Sequence, residues 1–232
     1  MKEFTERILQ KAKDLGASYA DVRIVRGLSE AINVKNGKVD TLASSSDYGF
    51  GVRVIADGAW GFASSFTVSD EEGERIAAEA VRIARASARL KKKDVELAPV
   101  EPAEGSFKSE WKIDPFEVPL EEKINLLLDA DKIIRQQPEI KVSESNMQFW
   151  KTDITFASSE GSYIEQTKVD SEAGISATAI EGGEMQRRSY PQDATSAGYE
   201  FVKDLDLVGH SAEIAKEAAE LLKAPQCPSD VR

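Results

Sequence analysis

A single histidine stands in the chain, His210, three residues before Glu213 and seven before Glu217. On a helix those spacings share a face, and an imidazole beside two carboxylates is the beginning of a metal-ligand set. A metal centre would need donors from elsewhere, so the residue reads as an early-helix, partly exposed histidine. The same shortage excludes a Ser-His-Asp or Cys-His constellation beyond this one residue. The single cysteine, Cys227, lies between Gln226 and Pro228 in a tail after the last helix and reads as incidental. It has no partner for an internal disulfide, which fits a reducing, cytoplasmic setting. The polar cluster Arg187-Arg188-Ser189-Tyr190-Pro191 offers two cations and a phenol. Neighbouring residues on a strand point to opposite faces, so at most one of the two arginines looks into a given surface. Arg187, Arg188 and Tyr190 are the candidate substrate-facing residues.

Motifs that bind nucleotides or build a nucleophile are missing. There is no G-x-x-x-x-G-K-[ST] loop, and after Gly49-Phe50-Gly51 the third glycine of a dinucleotide fingerprint is replaced by Val54. Gly174-Ile175-Ser176 continues as Ala177-Thr178, which breaks the G-x-S-x-G elbow. The serines at 44 to 46, 64 to 65 and 158 to 159 read instead as turn and strand-end residues. A formal net charge of −11, from 41 acidic and 30 basic residues, repels phosphate backbones, so no nucleic-acid partner is expected. The run Lys91-Lys92-Lys93 follows a helix whose negative dipole end it complements. No stretch of about 18 apolar residues occurs and the N-terminus opens a polar helix, so neither a membrane span nor a signal peptide is expected.

The elements that must position these residues follow a simple order. Apolar spacing predicts a helix over residues 2–15, a strand over Tyr19–Arg26, and an antiparallel meander over Ala31–Ser65. Its turn residues are Asn36, Gly37, Asp57 and Gly58, whose types supply positive φ, with Gly51 assigned to tight backbone geometry. Ser69 to Glu72 read as a capping box, in which Glu72 reaches back, at the start of a helix running to about Leu90. Residues 97–118, rich in proline, break both ladders and helices and form a connector. A second helix, meander and helix then occupy residues 119–224, with strands near 141–149, 153–157, 163–169, 174–180 and 185–189, a last helix over 206–223, and a tail at 225–232. Ile32 falls on Ile154 and Gly51 on Gly174 at a nearly constant offset. The expected fold class is therefore α+β, built from two repeated helix, antiparallel β-meander and helix units, the first over residues 1–96.

The segments ADVRIV (20–25), INVKNGKVDTLASSSDYGFGVRVIADGAWGFAS (32–64), FASSEGSYIEQ (156–166) and GEMQRRSYP (183–191) together resemble the N-terminal half of the TldD/PmbA family, with GEMQRRSYP closer to the TldD branch. That family was first described as modulators of DNA gyrase. The resemblance implies a zinc metallopeptidase that trims or degrades short unfolded peptides as a homodimer or a heterodimer. It also implies zinc ligands on a His-Glu-x-x-x-His helix in a C-terminal half. No such motif is present, and Ser211 follows His210, so no catalytic or metal residue is carried over and no cofactor is expected in this chain. The expectation is a non-catalytic N-terminal part that contributes dimer and substrate-chamber surface. The alternative is a stand-alone regulatory partner of a family peptidase, while direct action on gyrase or DNA suits neither the charge nor the motifs.

Overall fold

The computed structural model describes residues 1–225, apart from the side chain of Gln192; Cys227 and the expected tail from residue 226 onward lie outside the described residues. Five helices and seven strands follow one another: α1 (Lys2–Asp14), β1 (Tyr19–Lys35), β2 (Lys38–Ala56), β3 (Ala59–Ser65), α2 (Asp70–Ala88), β4 (Glu104–Lys108), α3 (Leu120–Ile134), β5 (Ile140–Ser158), β6 (Tyr163–Glu181), β7 (Glu184–Thr195), α4 (Tyr199–Asp204) and α5 (Leu207–Leu221). Helix, three-strand meander and helix thus occur twice, and the fold is α+β. The strands form one sheet in the order β3-β2-β1-β5-β6-β4, with β7 also on β6. Among the described residues no helix is long and apolar enough to cross a membrane.

Turn chemistry explains the meanders. Asn36 and Gly37 have φ of 49° and 80°, and Asp57 and Gly58 have 50° and 72°, so both two-residue turns use left-handed residue conformations, which match the right-handed twist of the flanking strands. Gly182 and Gly183 do the same between β6 and β7. Four strands are longer than expected. β1 runs on through Gly27 to Glu30, β2 through Ser44 to Ser46, β5 through Lys151, and β6 through Asp170 to Glu172. Serines 44 to 46 are therefore mid-strand residues and not turn residues. Neither proline nor positive φ interrupts the backbone at those places, and polar side chains there mark an uncovered stretch, not an end. Gly51 is likewise inside β2 and forms no turn. The connector holds a strand, β4, parallel to Tyr163–Thr167 of β6, because its prolines fall on either side of Glu104–Lys108. The last helix is preceded by the unforeseen α4, and Asp206 caps α5 from a left-handed conformation.

By contact the described residues divide into two compact units. Unit 1 comprises Met1–Leu28, Ser46–Lys108 and Lys151–Lys168, and unit 2 comprises Ser29–Ser45, Ser109–Trp150 and the residues from Val169 onward.

In unit 1, α1 and α2 cover one face of the strands. Ile8 and Ala12 from α1, and Ile76, Ala77, Ala80 and Ala84 from α2, bury Val22, Ile24, Phe50, Val52 and Val54. The helix comes closest at Gly61, where an added Cβ would overlap the carbonyl oxygen of Ala80 and stand 2.5 Å from the nitrogen of Ala84. Ser69 caps α2 by accepting from the Glu72 N–H. Glu72 does not close the capping box. Its two oxygens take the Arg75 Nε and Nη2 at 2.7 and 2.8 Å, a charge-assisted pair that outcompetes one backbone N–H.

In unit 2, α3 and α5 cover Ile32, Val34, Met147, Phe149, Ala173, Ile175 and Ala177. Two buried ionic groups are satisfied locally. Lys123, wholly buried on α3, donates to Glu30 and lies over the Phe149 ring at 5.0 Å. Asp131 takes Ser143 Oγ at 2.6 Å and Arg135 Nε at 2.9 Å, while Asn36 Oδ1 accepts the Ser143 N–H, so the first hairpin turn is fastened by α3 and β5. Glu200 accepts the N–H groups of Lys112, Ile113 and Gly198 at 3.0, 2.9 and 3.0 Å and ties α4 to the connector. Burial alone would push its carboxyl up, but those three donors hold it below the usual range.

Two stability measurements test this account. Gly61→Val is expected to cost about 3 kcal/mol or more in urea unfolding, because backbone atoms of α2 must move, whereas Gly105→Ala, with nothing within 4 Å, is expected to be neutral. Glu200→Ala is expected to cost about 2 to 3 kcal/mol at neutral pH by stranding backbone donors. Because the folded carboxyl is depressed, that contribution is present above the unfolded pKa of about 4.3 and disappears as pH falls through the folded value. A Glu200→Ala deficit that persists undiminished in acid contradicts this.

Candidate functional site

Among the described residues no helix packs on the face of unit 1 opposite α1 and α2. Strand alternation puts Val22, Ile24, Val52 and Val54 toward α1 and α2, so Tyr19, Asp21, Arg23, Gly51, Arg53, Trp60 and Phe62 lie on the other side. One end is rigid. Arg53 Nε and Nη2 both reach Asp21 Oδ2 at 2.8 Å, its guanidinium lies 4.8 Å from the Trp60 ring centre, and Tyr19 meets Trp60 edge-on at 5.9 Å. Asp21 is buried by this arrangement. Burial, and then the neighbouring Asp21 carboxylate, push the Tyr19 phenol up to about 12.

Beside this cluster a groove of about 680 Å³ runs between β1 and β3, lined among others by Asp21, Arg23, Gly49, Gly51, Phe62 and Phe66. Gly49 and Gly51 let the Phe62 ring and the end of β3 close in on its β2 side. A Cβ at Gly51 would stand 2.8 Å from the Phe62 ring, and one at Gly49 would stand 2.8 Å from the Ser65 carbonyl oxygen. Phe62 and Phe66 are 57% and 85% exposed, large apolar side chains held at the groove with nothing over them among the described residues. Arg23 lies 5.8 Å from the Phe156 ring centre, and no carboxylate lies within ion-pair distance of it among the described residues. Arg23, Phe62 and Phe66 were not legible as site residues, because each reads singly as an ordinary strand residue. The available signal was the pairing of two glycines on β2 with alternate aromatics on β3.

The residues singled out in the sequence lie in unit 2 and are divided by the strand. Arg188 reaches Glu217 on α5 at 3.3 Å, and Tyr190 stacks on His210 with ring centres 3.9 Å apart. Both side chains therefore join β7 to α5. Arg187 points the other way, where Nη2 donates to Ser176 Oγ at 3.1 Å and lies 3.9 Å from Glu144. Half of its side chain remains exposed on that sheet face. The turn residues Asn36, Gly37, Asp57 and Gly58 shape hairpins.

His210, Glu213 and Glu217 do not assemble a metal centre. His210 Nδ1 lies 3.4 Å from Glu213, but its ring is stacked on Tyr190 and Glu217 is engaged by Arg188, so the three donors do not converge. Among the described residues no group of three histidine, cysteine or carboxylate side chains is arranged to hold an ion.

Comparison with known proteins adds to this geometry. Residues 20–84 match the first domain of the PmbA/TldA metallopeptidases, and residues 113–224 match their central domain. A metalloprotease of Methanocaldococcus jannaschii is 32% identical over 221 residues, which is 95% of this chain and 48% of that protein. A metalloprotease of Methanothermobacter thermautotrophicus is 27% identical, with 91% and 45% covered. The chain thus spans about half the length of the curated relatives it matches. Among solved structures, a putative modulator of DNA gyrase from Thermotoga maritima superposes with a TM-score of 0.74 at 16% identity, covering 98% of this chain and 50% of that one. TldE from Thermococcus kodakarensis gives 0.61 at 14% identity, covering 94% and 47%. At such identities these two likenesses concern the fold.

The Tyr19 cluster predicts an alkaline signature. A phenol raised from about 10 to about 12 keeps its full contribution below pH 10, and loses it as pH rises through the folded value, since only the unfolded chain ionises in between. Tyr163 and Tyr199, also pushed up to about 12, act in the same direction. Tyr19→Phe is therefore expected to reduce the fall in urea midpoint between pH 10 and 12 by roughly a third, and an unchanged slope contradicts the assignment.

Proposed function

Since the chain belongs to the PmbA/TldD metallopeptidase family, we propose that it is the non-catalytic N-terminal part of a TldD-type peptidase. In this reading it supplies wall surface for an extended, unfolded peptide and part of a dimer contact. Hydrolysis would rest on zinc ligands in the part of the relatives' length that residues 1–232 do not span. A cytoplasmic setting belongs to the same proposal and rests on the single cysteine.

The observation that carries the reading is the outer edge of β2. β3 pairs only with Phe50–Ala56, so the stretch from Lys38 to Gly49 keeps a row of backbone N–H and C=O groups with no strand beside it on that side among the described residues. Its side chains are exposed from Lys38 to Tyr48. Such an edge pairs with any extended backbone, which gives affinity with little sequence preference. Arg187, half exposed on the sheet face of unit 2 away from α5, would add a side-chain contact, while Arg188 and Tyr190 hold the strand that carries it.

Fluorescence anisotropy with a labelled, unstructured decapeptide tests this. The chain is expected to bind in the micromolar range, and N-methylation of alternate peptide nitrogens is expected to weaken binding at least tenfold by removing the ladder donors. Added zinc is expected to produce no cleavage. Chelator-sensitive cleavage by the chain alone overturns the non-catalytic assignment. A specific complex with a full-length relative, formed without any peptide binding, favours the stand-alone regulatory partner instead.

A further inference from the structure

The groove of unit 1 carries chemistry that backbone pairing does not use. Its apolar wall is the exposed pair Phe62, on β3 with its ring over Gly51, and Phe66, just after that strand. Four charged groups face it: Asp21, Arg23, Asp47 and Arg53. Asp21 and Arg53 neutralise each other at 2.8 Å. Arg23 and Asp47 have no ion-pair partner among the described residues, and both are exposed. Asp47 stands beside Gly27, its Cβ 4.0 Å from where a Gly27 side chain would begin. Gly27 is four residues beyond Arg23 on β1, so the free cation and the free anion are separated by about 13 Å at the rise of an extended strand. An extended segment lying along the groove presents every second side chain to it, and four of its own residues span the same distance.

We propose that this groove is a side-chain subsite that selects peptides with an acidic residue, an apolar or aromatic residue two positions away, and a basic residue two positions further on. The carboxylate sits at Arg23, the apolar side chain lies against the exposed rings of Phe62 and Phe66, and the cation sits at Asp47. The charges decide the register, and the two rings provide the apolar contact. The inference rests on the peptide-binding reading above and adds a sequence preference to it.

Anisotropy with fluorescein-labelled decapeptides containing Glu-Ala-Phe-Ala-Lys, in both chain directions, is the test. For the better direction, exchanging Glu for Lys in the peptide is expected to weaken binding about fivefold at low salt, the worth of one partly exposed ion pair, and less at high salt. Arg23→Glu is expected to reverse that preference, and Phe66→Ser, at a position 85% exposed, to weaken both peptides without lowering the melting temperature. A preference that Arg23→Glu leaves unchanged overturns the subsite, even if N-methylation still abolishes binding and the peptide reading stands. Absence of binding by every peptide overturns both. Concentration-dependent dimerisation abolished by Phe66→Ser shows a second copy of the chain in the groove and also overturns the subsite.

Discussion

Helix α2 approaches β3 more closely than any side chain at Gly61 would allow, and much of unit 1 depends on that approach. With backbone nearly touching backbone, Ala77, Ala80 and Ala84 bring α2 down onto the strands and α1 packs beside it, through Ile8 against Gly73. All the apolar side chains that this layer needs are then used on one face. What remains for the other face is an assortment that no core demands: a buried carboxylate neutralised by arginine, two glycines, and aromatic rings in the open. The uncovered surface is thus a product of tight packing elsewhere and not of poor packing locally.

Unit 2 solves the same problem with polar fastenings. Lys123 and Asp131, both on α3, are fully buried, and each is satisfied by groups from the strands beneath it. Removing either partner strands a charge away from water, a larger penalty than the pair itself contributes. Arg135 closes the set by lying over Gly37, where a Cβ would stand 2.6 Å from its Nη2, so position 37 disfavours a side chain both by its positive φ and by the cation above it.

Much of this was legible in the residues. Asn36-Gly37 and Asp57-Gly58 specify their turns by conformation alone, and the stripes of α1, α2, α3 and α5 specify buried faces by period. What was not legible depends on partners distant in sequence. Ser44 to Ser46 look like a break until a neighbouring strand continues past them, and β4 looks like a connector until β6 is beside it. The groove was hidden for a similar reason. Gly51 proclaims freedom of backbone, yet what it provides is room for the ring of Phe62 from another strand. Arg187 and Arg188 were correctly read as opposed, but which of them would be used up by α5 is a fact of packing and not of alternation.

The interleaving of the two units bears on how the chain is made. Unit 1 contains residues 151–168 and unit 2 contains residues 29–45, so neither can close from one continuous stretch. On the ribosome, the first meander must wait until residue 168 has emerged before its own unit is complete. Contacts so distant in sequence carry a large loop-closure cost and form slowly. Through that interval the long strand from Lys38 to Gly49 is available to other nascent chains, a biosynthetic hazard of the kind that chaperones exist to contain.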